Sequence, residues 1–258
     1  MRASRTVLNQ RQEEILEMAQ KQGFVSIDEL TRTFDVTPQT IRRDINELCE
    51  QGRLRRYHGG AGLASSVENV DYTTRQVLYL EEKRRIAKAV ADVIPDQASV
   101  FINIGTTNEE VAKALSDHQG LRVITNNLNV AAIMSGNPSC EVTIAGGVVR
   151  PRDRGIIGEA TIDFVRQFKV DYGIIGISGI DEDGQLLDFD YREVQVARAI
   201  IENSRQLFLV TDHSKFGRGA MVRLCHISRI GALFTDAPPP PGIAAMLRES
   251  GVELYVAE

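Results

Sequence analysis

The sequence contains no tryptophan, and only three cysteines and four histidines among its 258 residues. Cys49, Cys140 and Cys225 stand far apart and form no Cys-x-x-Cys pair. That argues against a zinc site or a disulfide framework and fits a reducing compartment. No apolar run reaches membrane-spanning length, and the opening MRASRTVLNQRQEE lacks the apolar centre of a secretory signal. The chain therefore reads as cytoplasmic, with no membrane partner, no metal and no cofactor. An excess of positive charge is lacking too: 30 Lys and Arg against 35 Asp and Glu leave a net charge of −5. Any nucleic-acid binding must then come from a local patch. Repeats and low-complexity tracts are absent, and APPPPG at Ala237–Gly242 reads as a rigid surface connection.

A local basic patch is present. VTPQTIRRDINELCEQGRLRRYHGG, from Val36 to Gly60, holds five arginines and a histidine. It closes a stretch, from about Asn9 to Tyr57, that reads as short helices. QRQEEILEMAQKQG places Ile15, Leu16 and Ala19 on one face and stops at Gly23. Ser26 is an N-cap for IDELTRTF, with Glu29 at capping-box spacing. Thr37 caps a third helix, and Pro38 falls in its first turn, where a missing N–H costs nothing. Ile41, Ile45 and Leu48 recur at helical spacing and face inward; Gln39, Arg42, Arg43 and Asn46 fall on the opposite face. A recognition helix needs that division, with long polar side chains free to reach base edges and phosphates. Arg53, Arg55, Arg56 and His58 then sit on a short turn element that reads as a basic wing for phosphates or a neighbouring groove. Together with Thr37 and Thr40 at the start of the helix, these residues form the expected DNA-binding set.

VSIDELTRTFDVTPQTIRRDINELCEQGRLRRYHGGA resembles the winged helix-turn-helix of DeoR-type bacterial transcriptional regulators. The resemblance rests on the run Thr40-Ile41-Arg42-Arg43-Asp44-Ile45-Asn46-Glu47-Leu48 and on the His-Gly-Gly-Ala end of the wing at Ala61. It implies operator DNA as a partner. Asp44 is expected to support the neighbouring arginines.

HGGAGLASSVEN reads as a turn entering a linker, and TRQVLYLEEKRRIAKAVADVI as one long helix or a linker ending in one. From Ser99 the texture changes to short β-branched runs with helical patterns between them: VFINIG, RVITNN, EVTIAGG, YGIIGISG and LFLVTD. Such runs indicate a mostly parallel sheet covered on both faces. The expected fold class is α/β, divided into a winged helix-turn-helix at 1–60, a linker at 61–80 and an α/β sensor domain at 81–258.

Open α/β sheets bind ligands at the carboxyl ends of their strands. Gly105, Thr106 and Thr107 follow the first of these strands and open a helix, a ready anion site. Thr125, Asn126 and Asn127, then Gly146 and Gly147, Asp181 beside Gly176, and Asp212 with Ser214 and Lys215 fall at other predicted strand ends. Threonines, amides and a lysine suit a phosphate; Asn and Asp suit hydroxyls. Arg150, Arg152 and Arg154 read as a solvated loop that could add charge. These residues by themselves lead to a small phosphorylated metabolite as effector.

This half resembles the DeoR-type sensor domain, similar in fold to the ribose-5-phosphate isomerase and glucosamine-6-phosphate deaminase group. A sugar-phosphate isomerase is therefore the alternative from another class. Aligned on Asp212–Lys215, Asp188 falls where the isomerases carry a lysine, and Ala197 where they carry the acid–base glutamate. Proton shuttling needs a carboxylate within reach; Glu193 or Asp190 would have to supply it. Those departures favour a sensor over an enzyme. TNNLNVA, GIIGEATIDF, FDYREV, RAIIENSR and VTDHSKFGR are similar to those of family members that answer to sn-glycerol 3-phosphate. What the resemblance implies is that ligand as effector, releasing operator DNA upstream of glycerol-catabolism genes. A family member sensing another sugar phosphate is the remaining alternative. One winged unit reads one half-site, so a homodimer or homotetramer is expected.

Overall fold

The computed structural model describes residues 8–22, 24–57, 59–62 and 72–257. The first unit comprises helix α1 (Gln10–Gln22), strand β1 (Phe24–Ser26), α2 (Ile27–Phe34), α3 (Pro38–Glu50), β2 (Arg55–Tyr57) and β3 (Gly60–Gly62). The strands form an antiparallel sheet in the order β1-β3-β2. Ser26 accepts the Glu29 N–H at 3.0 Å and thereby starts α2. Ile15, Ala19, Leu30, Ile41, Ile45 and Leu48 are all fully buried in one small core. Gly60 is demanded by the close approach of β3 to β1. A Cβ there would stand 2.1 Å from the Val25 carbonyl oxygen.

Helices α4 (Tyr72–Val77) and α5 (Leu80–Ala91) lead into the second unit. Of the two readings of this stretch, one long helix or a linker ending in one, the unbroken helix does not hold, because the chain turns between α4 and α5 with Tyr79 in the left-handed region at φ 54°. An aromatic residue held there costs about 1–2 kcal/mol. The Tyr72 hydroxyl donates to the Glu109 carboxylate at 2.7 Å and accepts from Asn129 Nδ2 at 2.8 Å. The segment before residue 81 is thus fastened to the second unit.

That unit runs β4 (Ser99–Ile102), α6 (Thr106–Ala114), β5 (Arg122–Thr125), α7 (Leu128–Met134), β6 (Glu141–Ile144), β7 (Val148–Val149), β8 (Ile156–Ile157) and α8 (Glu159–Val165). It continues β9 (Val170–Ile175), β10 (Gly179–Ile180), β11 (Gln185–Asp188), α9 (Tyr191–Glu202), β12 (Ser204–Val210) and β13 (Val222–His226). It ends with β14 (Ala232–Thr235), α10 (Pro241–Glu249) and β15 (Glu253–Val256). Seven strands form a parallel sheet in the order β15-β14-β12-β9-β4-β5-β6. The five β-branched runs expected as strands are β4, β5, β6, β9 and β12. Two apolar clusters cover the sheet, one built around Phe101, Ile175 and Leu209, the other around Ile102, Ile174 and Phe234. Strand order reverses between β4 and β9, and such a switch point opens a crevice at the carboxyl ends. No helix among the described residues is long and apolar enough to cross a membrane.

Candidate functional site

Two sites of opposite character emerge. On the winged unit, Thr37 caps α3 by accepting the Thr40 N–H at 3.3 Å, and the two hydroxyls lie 2.9 Å apart. With Ile41, Ile45 and Leu48 buried, Gln39, Arg42, Arg43 and Asn46 are exposed on the far face. Arg53, Arg55 and Arg56 are exposed on the wing, and Arg56 donates to Asn46 Oδ1, tying wing to helix. His58 lies outside the described residues. One expectation needs correcting. Asp44 does not support Arg42 or Arg43; it is buried and paired at 2.6 Å with Arg11 of α1, while Arg43 pairs with Glu47 at 3.1 Å. The buried carboxylate takes the cation offered by the neighbouring helix α1, and Arg43 turns to Glu47 at the surface.

The second site is a cavity at the β4/β9 switch point. Its floor is Gly105, Thr106 and Thr107 after β4, Gly176 and Ser178 after β9, and Thr211, Asp212 and Lys215 after β12. Gly105 precedes α6 at φ 148° with no side-chain cap, so the first amides of that helix remain available to an anion. Asp188 and Glu193 line a further side, and Arg218 with Arg75, Leu78, Tyr79 and Lys83 completes the enclosure.

Burial sets the electrostatics here. It lowers the Lys215 ammonium to about 7 despite the opposing pull of Asp212. Burial would raise Asp212, but Lys215, the Ser214 hydroxyl and Lys83 hold it down at about 2. Burial and the nearby Asp188 push Glu193 up to about 7 against the pull of Arg150. Asp188 is itself raised by burial, although it accepts from the Ser178 hydroxyl at 3.0 Å. Lys83 is lowered by burial, and its ammonium donates to the carbonyls of Arg75 and of Leu78, the latter at 2.7 Å. The cavity therefore has cations and helix amides beside carboxylates, an arrangement for a ligand with an anionic group and hydroxyls.

Of the residues expected to bind effector, the structure brings together Gly105, Thr106, Thr107, Asp212 and Lys215. Thr125, Asn126, Asn127, Gly146, Gly147 and Asp181 do not line this cavity. Thr125 donates its hydroxyl to the Ile102 carbonyl, and Asn126 donates to that of Ile156. Asn127 caps α7 and donates to Glu109. The Gly146 carbonyl accepts the Thr161 hydroxyl, and a Cβ on Gly147 would stand 2.2 Å from that oxygen. Asp181 closes the β10–β11 turn by accepting the Gln185 N–H at 2.7 Å. Thr125 to Asn127 and Gly146 to Gly147 serve the scaffold because β5 and β6 lie on the far side of β4 from the switch point, and Asp181 serves a turn outside the seven-stranded sheet.

Arg150 is not solvated either. It is buried, held by Asp153 at 2.5 Å, Glu193 at 2.7 Å and Asp190 at 3.1 Å. Arg152 is half exposed beside the same carboxylates, and Arg154 stands at φ 59° with its guanidinium near Asn129. Ala197 is buried in α9, Asp190 caps that helix, and Glu193 reaches the cavity.

Sequence reasoning missed Arg75, Tyr79, Lys83 and Arg218. One signal was available: Lys83 lies on the same helical stripe as Ile86, Ala87 and Val90, all buried. A lysine on an apolar stripe needs an internal partner.

The chain matches the DeoR-like helix-turn-helix domain over residues 11–67 and the DeoR C terminal sensor domain over residues 79–237. It is 54% identical to the glycerol-3-phosphate regulon repressor of Escherichia coli (strain K12), over 95% of this chain and 97% of that protein. It is 43% identical to the HTH-type transcriptional repressor CsqR of the same organism, over 97% of this chain and 96% of that one. Among solved structures, ribose 5-phosphate isomerase A from Neisseria gonorrhoeae aligns at 13% identity with a TM-score of 0.38, covering 52% of each chain.

Proposed function

The chain belongs to the DeoR family of DNA-binding transcriptional regulators, and from that premise we propose that it represses genes of glycerol and glycerol 3-phosphate catabolism and leaves its operator when sn-glycerol 3-phosphate binds. The observation that carries the effector reading is the mixed lining of the switch-point cavity. The amides of α6, with Lys215 and Lys83, suit a phosphate, and Asp188 and Glu193 suit two hydroxyls. A three-carbon polyol phosphate carries both groups. The relative that is 54% identical bears glycerol 3-phosphate in its name, which supports the same ligand.

On DNA, Gln39, Arg42 and Arg43 read base edges, and Arg53, Arg55, Arg56 and His58 grip phosphates. A homodimer or homotetramer places two such units on paired half-sites. Release follows from linkage: a ligand that prefers the DNA-incompetent arrangement weakens DNA binding by the factor by which DNA weakens ligand binding.

The test is a gel-shift titration, at stated salt, on DNA upstream of glycerol-catabolism genes. It is run with and without sn-glycerol 3-phosphate, with ribose 5-phosphate and fructose 1-phosphate as controls. The expected result is a specific shift relieved by glycerol 3-phosphate alone. Relief only by another phosphate would replace the effector, and no specific shift would end the operator reading.

A further inference from the structure

Arg75, Leu78, Tyr79 and Lys83 line the cavity, yet they come from the segment that joins the two units rather than from any strand end of the sheet. Lys83 fixes the turn between α4 and α5 through the carbonyls of Arg75 and Leu78. That turn holds Tyr79 in its left-handed conformation.

The Tyr79 ring has two neighbours from different units. On the sensor side it meets the His213 ring edge-on, with centroids 4.8 Å apart. His213 follows Asp212 directly and is anchored by Asp236, which accepts its backbone N–H at 2.7 Å and lies 2.6 Å from its Nδ1. On the winged side Tyr79 meets Phe24 of β1, with centroids 6.3 Å apart. Its hydroxyl is buried beside Ser26, the cap of α2. Two further approaches follow the same seam. Gly59 of the wing turn faces His213, where a Cβ would lie 4.0 Å from Cδ2, and Gly219 faces Arg55, where a Cβ would lie 3.3 Å from Nη1.

The geometry points to Tyr79 as the positioning residue through which an occupied cavity alters the winged unit: a ligand meets the ring from one side, and Phe24 with the capped start of α2 meets it from the other. This rests on the reading of the cavity as the effector site. A ligand that displaces the ring acts on β1 and on the cap of α2, and α2 is the helix against which the recognition helix packs. The decisive measurement is a coupling factor.

The experiment uses the full chain as wild type, Tyr79→Leu and Phe24→Leu. Calorimetry gives the affinity for sn-glycerol 3-phosphate, and gel shift gives operator affinity with and without it. Allosteric coupling of ordinary size would weaken operator binding by about 5–150-fold in the wild type. Phe24→Leu should bind ligand alone and operator alone within about threefold of wild type, and Tyr79→Leu should bind operator alone as well, while in both the coupling factor falls toward one. A residue that merely supported folding would change the separate affinities instead. Phe24 lies outside the cavity, so its variant keeps the test sharp if Tyr79→Leu binds ligand poorly. Full release of Tyr79→Leu at the wild-type ligand concentration would overturn the proposal, as would full coupling in Phe24→Leu. If the wild-type chain fails to bind glycerol 3-phosphate, the effector reading falls, and the proposal falls with it.

Discussion

Arg42 and Arg43 ride outward on a helix whose back is anchored by Ile41, Ile45 and Leu48, whereas Lys83 and Lys215 are turned inward onto carbonyls and a carboxylate. The first pair needs no protein partner, since water solvates it until DNA arrives. The second pair stays charged only through what surrounds it. An outward cation can therefore be removed with little effect on the fold, while an inward one is bound up with stability, ligand affinity and pH together.

The largest effect that would sharpen this contrast is expected from Lys215→Ala. It leaves Asp212, which is 1% exposed, with Lys83, His213 and the hydroxyl and backbone N–H of Ser214 in place of its buried cation partner. Removing one member of a buried pair costs about 3–5 kcal/mol, and the loose 3.8 Å separation places this pair at the low end. Denaturant melts should show that destabilisation, and calorimetry should show ligand binding abolished. Adding Asp212→Asn should return much of the stability without restoring binding. If Lys215→Ala is as stable as wild type and still responds to ligand, the inward charge is not what holds the cavity.

Arg43→Ala is the matching test on the outer surface. A good bidentate contact to a base is worth about 1–3 kcal/mol, so operator affinity should fall by that amount and discrimination at one position should relax. Its pair with Glu47 is exposed and contributes under about 1 kcal/mol, so melts should barely move. A large drop in stability would erase the distinction between the two regions.

The same distinction explains what could be read in advance. Amphipathic spacing separates Ile41, Ile45 and Leu48 from Gln39, Arg42 and Arg43 within one helix, so the recognition face is legible from one turn to the next. The strand ends were legible too, because β-branched runs bounded by Gly, Asn and Asp mark them. Which strand ends share a crevice depends on strand order, and order is not local. β4, β9 and β12 meet at the switch point, whereas β5 and β6 extend the sheet on the other side. For that reason Gly105 and Lys215 converge, while Thr125, Asn127 and Gly147 serve the scaffold. Asp44 shows the limit in miniature: its partner, Arg11, is far from it in sequence. Tyr79 was hidden for a different reason, since nothing in LYLEEK announces a broken helix.

pH should separate the regions with a smaller effect. Lys215 titrates at about 7, and a phosphate beside it favours its charged form. Above pH 7 ligand binding must therefore take up a proton, and affinity falls. Glu193, also at about 7, ionises over the same range and repels the anion, so its effect has the same sign. Each proton taken up weakens binding by at most about tenfold per pH unit above that point. Below about pH 6 the phosphate loses its second charge, which places the optimum between the two. Calorimetry from pH 6 to 8.5 would test this. Operator affinity from pH 7 to 8.5 should stay flat, because guanidinium groups do not titrate there. A flat ligand profile would mean that the phosphate does not lie against Lys215.

The smallest expected effect concerns the wing. Arg53 is exposed where the chain leaves α3, and Arg56 is tied to Asn46 of the recognition helix. An arginine that grips a phosphate carries no sequence information, so Arg53→Ala should weaken specific and random DNA alike. For each phosphate no longer neutralised, the slope of log affinity against log salt becomes shallower by about 0.9. Binding measured at several salt concentrations should show that change in slope, with discrimination between operator and random DNA unaltered. Arg56→Ala should differ, because its tie to Asn46 holds the wing against the reading helix. If Arg53→Ala altered discrimination and left the slope alone, Arg53 would belong with the base-reading residues, and the division between a gripping wing and a reading helix would be drawn in the wrong place.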